Sequence, residues 1–101
     1  MAIYKSSYRV LVTDYVWPSL DPEREVLSKI GADIIEAPDQ SEDTLSALAG
    51  DVDAIMTCFA QVTQKVIESA TKCVVISRYG VGVDNIAVAT ATDRGIPVTY
   101  V

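Results

Sequence analysis

The stretch "YRVLVTDYVWPSLDPEREVLSKIGADIIEAP", Tyr8 to Pro38, decides the fold. It opens with the short β-branched run Val10–Val12, which reads as a buried strand. A helix follows in "SLDPEREVLSKIG": Asp21 is expected to cap it, Pro22 suits its first position, and Glu23 and Glu25 favour its positive end. Val26, Leu27 and Ile30 form the expected inward stripe, and Gly31 ends the helix. "ADIIEAP" is then a second strand, stopped by Pro38. Strand, capped helix and strand make one parallel crossover unit.

The rest of the chain repeats this grammar. In "SEDTLSALAG", Ser41 is the expected cap, Leu45, Leu48 and Ala49 point inward, and Gly50 stops the helix. "DAIMTC" is a third strand, and "TQKVIESA" a third helix capped by Thr63. "CVVISRYG" is a fourth strand; "DNIAVATATDRG" is a fourth helix, capped by Asp84 or Asn85 and ended by Gly95; "IPVTYV" is a fifth strand. The runs Val10–Val12, Ile55–Met56 and Val74–Ile76 are continuously apolar, as strands covered on both faces are. The second strand holds Asp33 and Glu36, and the fifth holds Pro97, so these two are expected at the edges. The expected fold is therefore α/β: a flavodoxin-like, doubly wound parallel sheet of five strands in the order 2-1-3-4-5.

Composition narrows the function. The chain has 101 residues, 50% hydrophobic and 22% charged, consistent with one globular domain. Its net charge is -6 and it has no Lys/Arg cluster, which argues against nucleic acid. No apolar run is long enough to span a membrane, and the N-terminus "MAIYKSSYRV" lacks a signal-peptide core, so a cytoplasmic location is expected. Cys58 and Cys73 fit no metal spacing and read as buried free thiols. There is no histidine, so the commonest general base and the commonest transition-metal ligand are missing.

In such a sheet ligands lie beyond the carboxyl ends of the strands, where strand order switches. The loops there are Thr13 to Leu20, Thr57 to Thr63 and Tyr79 to Asn85. In the last of these, Gly80 and Gly82 give G-x-G, but position 85 is Asn, so the dinucleotide fingerprint is absent; the loop after the first strand has no glycine at all. Two glycines ahead of a helix still bring backbone N–H groups together, which suits a small anion such as a carboxylate; a plain tight turn is the other reading. Arg78 either contacts substrate or pairs with Asp84 or a backbone carbonyl. Asp14 would begin a phosphoacceptor pocket, but the partner aspartate and lysine of a receiver domain are missing. Tyr15 and Trp17 are expected to cover the sheet end.

"RYGVGVDNIAVATATDRGIPVTYV", Arg78 to Val101, resembles the segment R-x-G-x-G-x-D-N-I-D-x-x-x-A-x-x-x-G-I-x-V of the D-isomer-specific 2-hydroxyacid dehydrogenases. "DAIMTCFAQVTQKVIESATKCVVISRYG" and "VLVTDYVWPSLDPEREVLSKIGADI" are similar to that family's preceding segments. The resemblance implies that residues 1–101 are a substrate-binding portion, truncated or deliberately isolated, without the Rossmann NAD-binding domain. It implies hydride transfer between NAD or NADP and a 2-hydroxy or 2-keto acid in the complete enzyme. The family's arginine, glutamate and histidine lie downstream of the matched stretch, so no catalytic residue, bound cofactor or metal is expected in this chain. By resemblance, the amides of Val81 and Gly82 hold the substrate carboxylate, with Gly80 and Arg78 beside them and Cys58, Phe59 and Ala60 bordering the pocket. Phosphoglycerate-using members carry arginines in that border loop; Thr57 to Gln61 has no cation, which argues against a phosphorylated substrate. Ala87 and Tyr100 stand where the family often has aspartate and asparagine. A homo-oligomer is expected, through exposed apolar surface near Val98, Tyr100 and Val101 or a nearby helix face. The alternatives are a corepressor-like interaction module and a stand-alone flavodoxin-like binding protein.

Overall fold

The computed structural model describes residues 7–100, so Val101 lies outside the described residues. Its elements are β1 (Tyr8–Val12), α1 (Asp21–Ser28), β2 (Ala32–Glu36), α2 (Glu42–Ala49), β3 (Ala54–Thr57), α3 (Gln64–Ser69), β4 (Val75–Arg78), α4 (Val88–Asp93) and β5 (Val98–Thr99). The five strands form one parallel sheet in the order β2-β1-β3-β4-β5, as the edge residues of β2 and β5 had implied. Val10 stands opposite Ala54 and Ile55 opposite Ile76, so the apolar centres of the three inner strands are in register.

The core lies on one face of the sheet. Leu11, Ile55 and Ile76 point into it, and Leu45, Ala49, Val66, Ile67 and Ala91 of α2, α3 and α4 close over them. All are essentially inaccessible to water. Two of these helices start as read from sequence: the Ser41 hydroxyl accepts from the Thr44 amide at 3.2 Å, and Thr63 from the Val66 amide at 3.4 Å. Each such cap contributes about 1 kcal/mol by satisfying an amide that has no partner within its helix.

The other face is only half covered. α1 packs over β2, and Val10, Val12 and Leu20 are buried on that side. Over β3 and β4 the same face stays open: Met56, Ser77 and Tyr79 are only partly buried. A groove of about 610 Å³ runs there between Trp17, Val26, Leu27, Met56 and Tyr79. This corrects two expectations. The stripe Val26–Leu27–Ile30 does not face a core, since Val26 is 62% and Ile30 64% exposed and α1 has no buried residue. The apolar runs of β3 and β4 are not covered on both faces; Val74 is exposed as well. Helical periodicity shows that a face is apolar, not that another element lies against it.

Two helix starts also differ. α1 is flanked by Leu20 and has no side-chain cap; Asp21 is its first residue, and Pro22 lies within its first turn. α4 begins at Val88, flanked by Ala87, and neither Asp84 nor Asn85 caps it. Residues 83–87 form a turn instead, and Ile86 bridges to Val62. Gly31 and Gly95 follow α1 and α4 with φ of 72° and 70°, the left-handed geometry that ends a helix. No described helix is long and apolar enough to cross a membrane.

Candidate functional site

Three loops meet beyond the carboxyl ends of β1, β3 and β4. Their common tie is Asp14, the second residue after β1. The Asp14 carboxylate accepts three consecutive backbone N–H groups of the β3–α3 loop: Cys58 at 3.0 Å, Phe59 at 2.7 Å and Ala60 at 3.2 Å. The Thr13 hydroxyl donates to it at 2.8 Å. Burial pushes the Asp14 carboxyl up, but these four donors outweigh it and hold the group below its usual range. The carboxylate is therefore ionised and fully used inside the protein.

The loop in turn holds Arg78. With its amides turned to Asp14, its carbonyls face the end of β4. Arg78 Nε donates to the Cys58 carbonyl at 2.9 Å, and Arg78 Nη1 to the Gly82 carbonyl at 2.9 Å. Asn85 Nδ2 donates to the Ala60 carbonyl at 2.8 Å. The guanidinium lies 5.6 Å from the Phe59 ring centroid, a cation–π distance. Of the two pairing options for Arg78, the structure shows the carbonyls and not Asp84.

The glycine turn closes the site. Gly80 has φ of 143°, which side-chain-bearing residues rarely adopt, and a Cβ there would come within 3.0 Å of Arg78 Nη1. Among the described residues no hydrogen bond uses the amides of Gly80, Val81 or Gly82. Val81 is 79% exposed. Because α4 starts only at Val88, these amides do not stand at a helix N-terminus, as the sequence had implied; what they offer is the turn alone. A concavity of about 270 Å³ lies between Phe59, Gln61, Arg78, Gly82, Asp84 and Asn85.

The expected residues thus divide. Arg78, Gly82 and the exposed Phe59 ring line the concavity, while Gly80 and Val81 belong to the same turn but do not line it. Cys58 and Ala60 are buried and reach the site only through the shape of their loop. Both cysteines are free, and burial raises the Cys58 and Cys73 thiols above their ordinary value. Asp14 and Asn85 were the residues missed. Asp14 was visible only as an acid after the first strand; nothing local connects it to a loop more than forty positions on. Trp17 covers the sheet end as expected, its ring 4.4 Å from that of Tyr79 and 5.9 Å from that of Tyr15. Tyr79 donates to Glu23 at 3.0 Å, and burial together with that carboxylate raises its hydroxyl pKa strongly.

The end of β1 is where a doubly wound sheet would take a dinucleotide pyrophosphate. The residues there do not fit one. Thr13 to Leu20 has no glycine, and the Asp14 carboxylate places a negative charge where a phosphate would need donors.

A D-3-phosphoglycerate dehydrogenase of Sus scrofa is 38% identical over 92 residues, covering 89% of this chain and 16% of that protein. A glyoxylate reductase of Pyrococcus furiosus is 46% identical over 50 residues, covering 48% of this chain and 15% of that protein. The chain therefore spans about a sixth of the length of these curated relatives. The crystal structure of NAD+-bound 3-phosphoglycerate dehydrogenase of Entamoeba histolytica shares the fold with a TM-score of 0.85 at 20% identity, covering 93% of this chain and 32% of that one. Residues 10–101 match the family described as D-isomer specific 2-hydroxyacid dehydrogenase, catalytic domain, and the chain belongs to that family.

Proposed function

We propose that this chain is the substrate-binding portion of an NAD(P)-dependent D-2-hydroxyacid dehydrogenase, and that the Gly80–Gly82 turn receives the substrate carboxylate. The observation that carries this is the exposed turn whose amides have no partner among the described residues, set beside the Arg78 guanidinium at the end of β4. An anion there gains from both N–H donors and a fixed positive charge. A nicotinamide cofactor would supply hydride chemistry at the C2 carbon of the acid in the complete enzyme. No residue here holds that cofactor; this chain contributes binding and orientation. Residues 1–101 turn over no substrate alone, and the protein is cytoplasmic.

The substrate we propose carries one anionic group. Thr57 to Gln61 has no cation, its three central amides are taken by Asp14, and Asp84 adds negative charge to the concavity wall. A second, phosphate charge meets no cation in that loop. The exposed Phe59 ring suits a small apolar group on C3. The test is an NMR titration with pyruvate and, separately, with a phosphorylated three-carbon hydroxy acid. Pyruvate is expected to move the Val81 and Gly82 amides first and weakly, with the phosphorylated acid no tighter. Movement elsewhere with those amides still would refute the placement.

A further inference from the structure

We propose that Asp14 is a positioning residue for the carboxylate site: it sets the course of the 58–60 loop and, through the Cys58 carbonyl, the place of Arg78 against the glycine turn. This rests on the proposed carboxylate site, and it goes beyond it in assigning a role to a residue outside the concavity.

The inference follows the hydrogen bonds. Three successive amides converging on one point form a nest, a geometry that proteins use to hold an external anion. Here the anion is internal, supplied by β1 and oriented by the Thr13 hydroxyl. Filling the nest from within has two effects. It removes Cys58, Phe59 and Ala60 as donors for a ligand. It also commits the loop carbonyls to the opposite direction, where the Cys58 carbonyl accepts Arg78 Nε and the Ala60 carbonyl accepts Asn85 Nδ2. Arg78 then spans the gap, its Nη1 on the Gly82 carbonyl and its plane near the Phe59 ring. One carboxylate thereby fixes both the loop and, at second hand, the cation that faces the proposed ligand. A guanidinium held at two nitrogens has little freedom left, so its remaining N–H groups are aimed before a ligand arrives.

Asp14→Asn tests this. Asparagine keeps the shape but has one acceptor oxygen, and its amide nitrogen meets loop N–H groups as a donor. In the ligand-free chain, the Arg78 Nε–H and Gly82 amide signals are expected to shift while those of α2 and α3 stay in place. In pyruvate titrations, binding read at Val81 and Gly82 should weaken about tenfold, the scale of one charge-assisted hydrogen bond. A double-mutant cycle separates positioning from general loosening. If Asp14 acts through Arg78, then Asp14→Asn adds no further loss in an Arg78→Lys background; additive losses would overturn the role. Unmoved Arg78 and Gly82 signals in ligand-free Asp14→Asn would overturn it too, whether or not pyruvate binds. Shifted signals together with absent pyruvate binding in the unsubstituted chain would sink the carboxylate site and leave the positioning intact. Where Asp14→Asn does not fold, Thr13→Val removes the hydroxyl that orients Asp14 and also bonds the Thr57 hydroxyl at 2.7 Å; smaller shifts at the same two signals are expected, and unmoved signals would overturn the role.

Discussion

Gly80→Ala is the substitution whose cost can be worked most directly from the structure. Gly80 has φ of 143°, and an alanine Cβ would sit 3.0 Å from Arg78 Nη1. Holding an alanine in so sparsely populated a region costs about 1–3 kcal/mol. Relieving the contact moves the guanidinium off the Gly82 carbonyl, at about 1.5 kcal/mol or more for a hydrogen bond to a charged group. Alanine also restricts the unfolded chain, which returns roughly 0.4–1 kcal/mol. The net loss is about 1.5–4 kcal/mol, and in a domain of this size that lowers Tm by about 6–30 °C. Gly82→Ala is the matched control: Gly82 is not among the positive-φ glycines, and its Cβ would meet the same Nη1 at an ordinary 3.5 Å. It is expected to change stability by less than about 1 kcal/mol in either direction. Urea and thermal melts of the two variants decide. Equal effects at positions 80 and 82 would refute the reasoning, because both would then report only the general loss of a glycine.

Acid should act through Asp14. Its folded pKa is depressed, so its contribution is complete above the ordinary carboxylate range and is lost as pH falls through the folded value. The difference in melting midpoint between the unsubstituted chain and Asp14→Asn should therefore be largest near neutrality and shrink below about pH 4; a gap independent of pH would count against an ionised Asp14. Self-association is expected through the half-covered face, and Val26→Lys with Ile30→Lys should lower the mass seen by light scattering. A monomer at millimolar concentration and high salt would contradict this. The chain is expected not to bind NAD; a 1:1 calorimetric titration with Kd at or below ~100 μM, about -5.5 kcal/mol, would overturn that.

The physics of short range was legible in the sequence. Ser41 and Thr63 were readable as caps because a cap bonds an amide three residues away. Strand order was readable because Asp33, Glu36 and Pro97 mark edges by their own chemistry, whatever lies beside them. Gly80 marked the turn because few residues other than glycine tolerate its backbone. What needed the tertiary structure was everything set by a partner distant in sequence. Asp84 and Asn85 look like caps, but Asn85 spends its side chain on the Ala60 carbonyl and α4 starts later. Val26 and Ile30 have helical spacing, yet whether a stripe is core depends on what packs against it, and among the described residues both stay more than half exposed. Asp14 shows in the sequence only as an acid after the first strand. Its role exists because the parallel pairing of β1 with β3 brings the ends of the two strands together, so that a carboxylate after one meets three amides after the other.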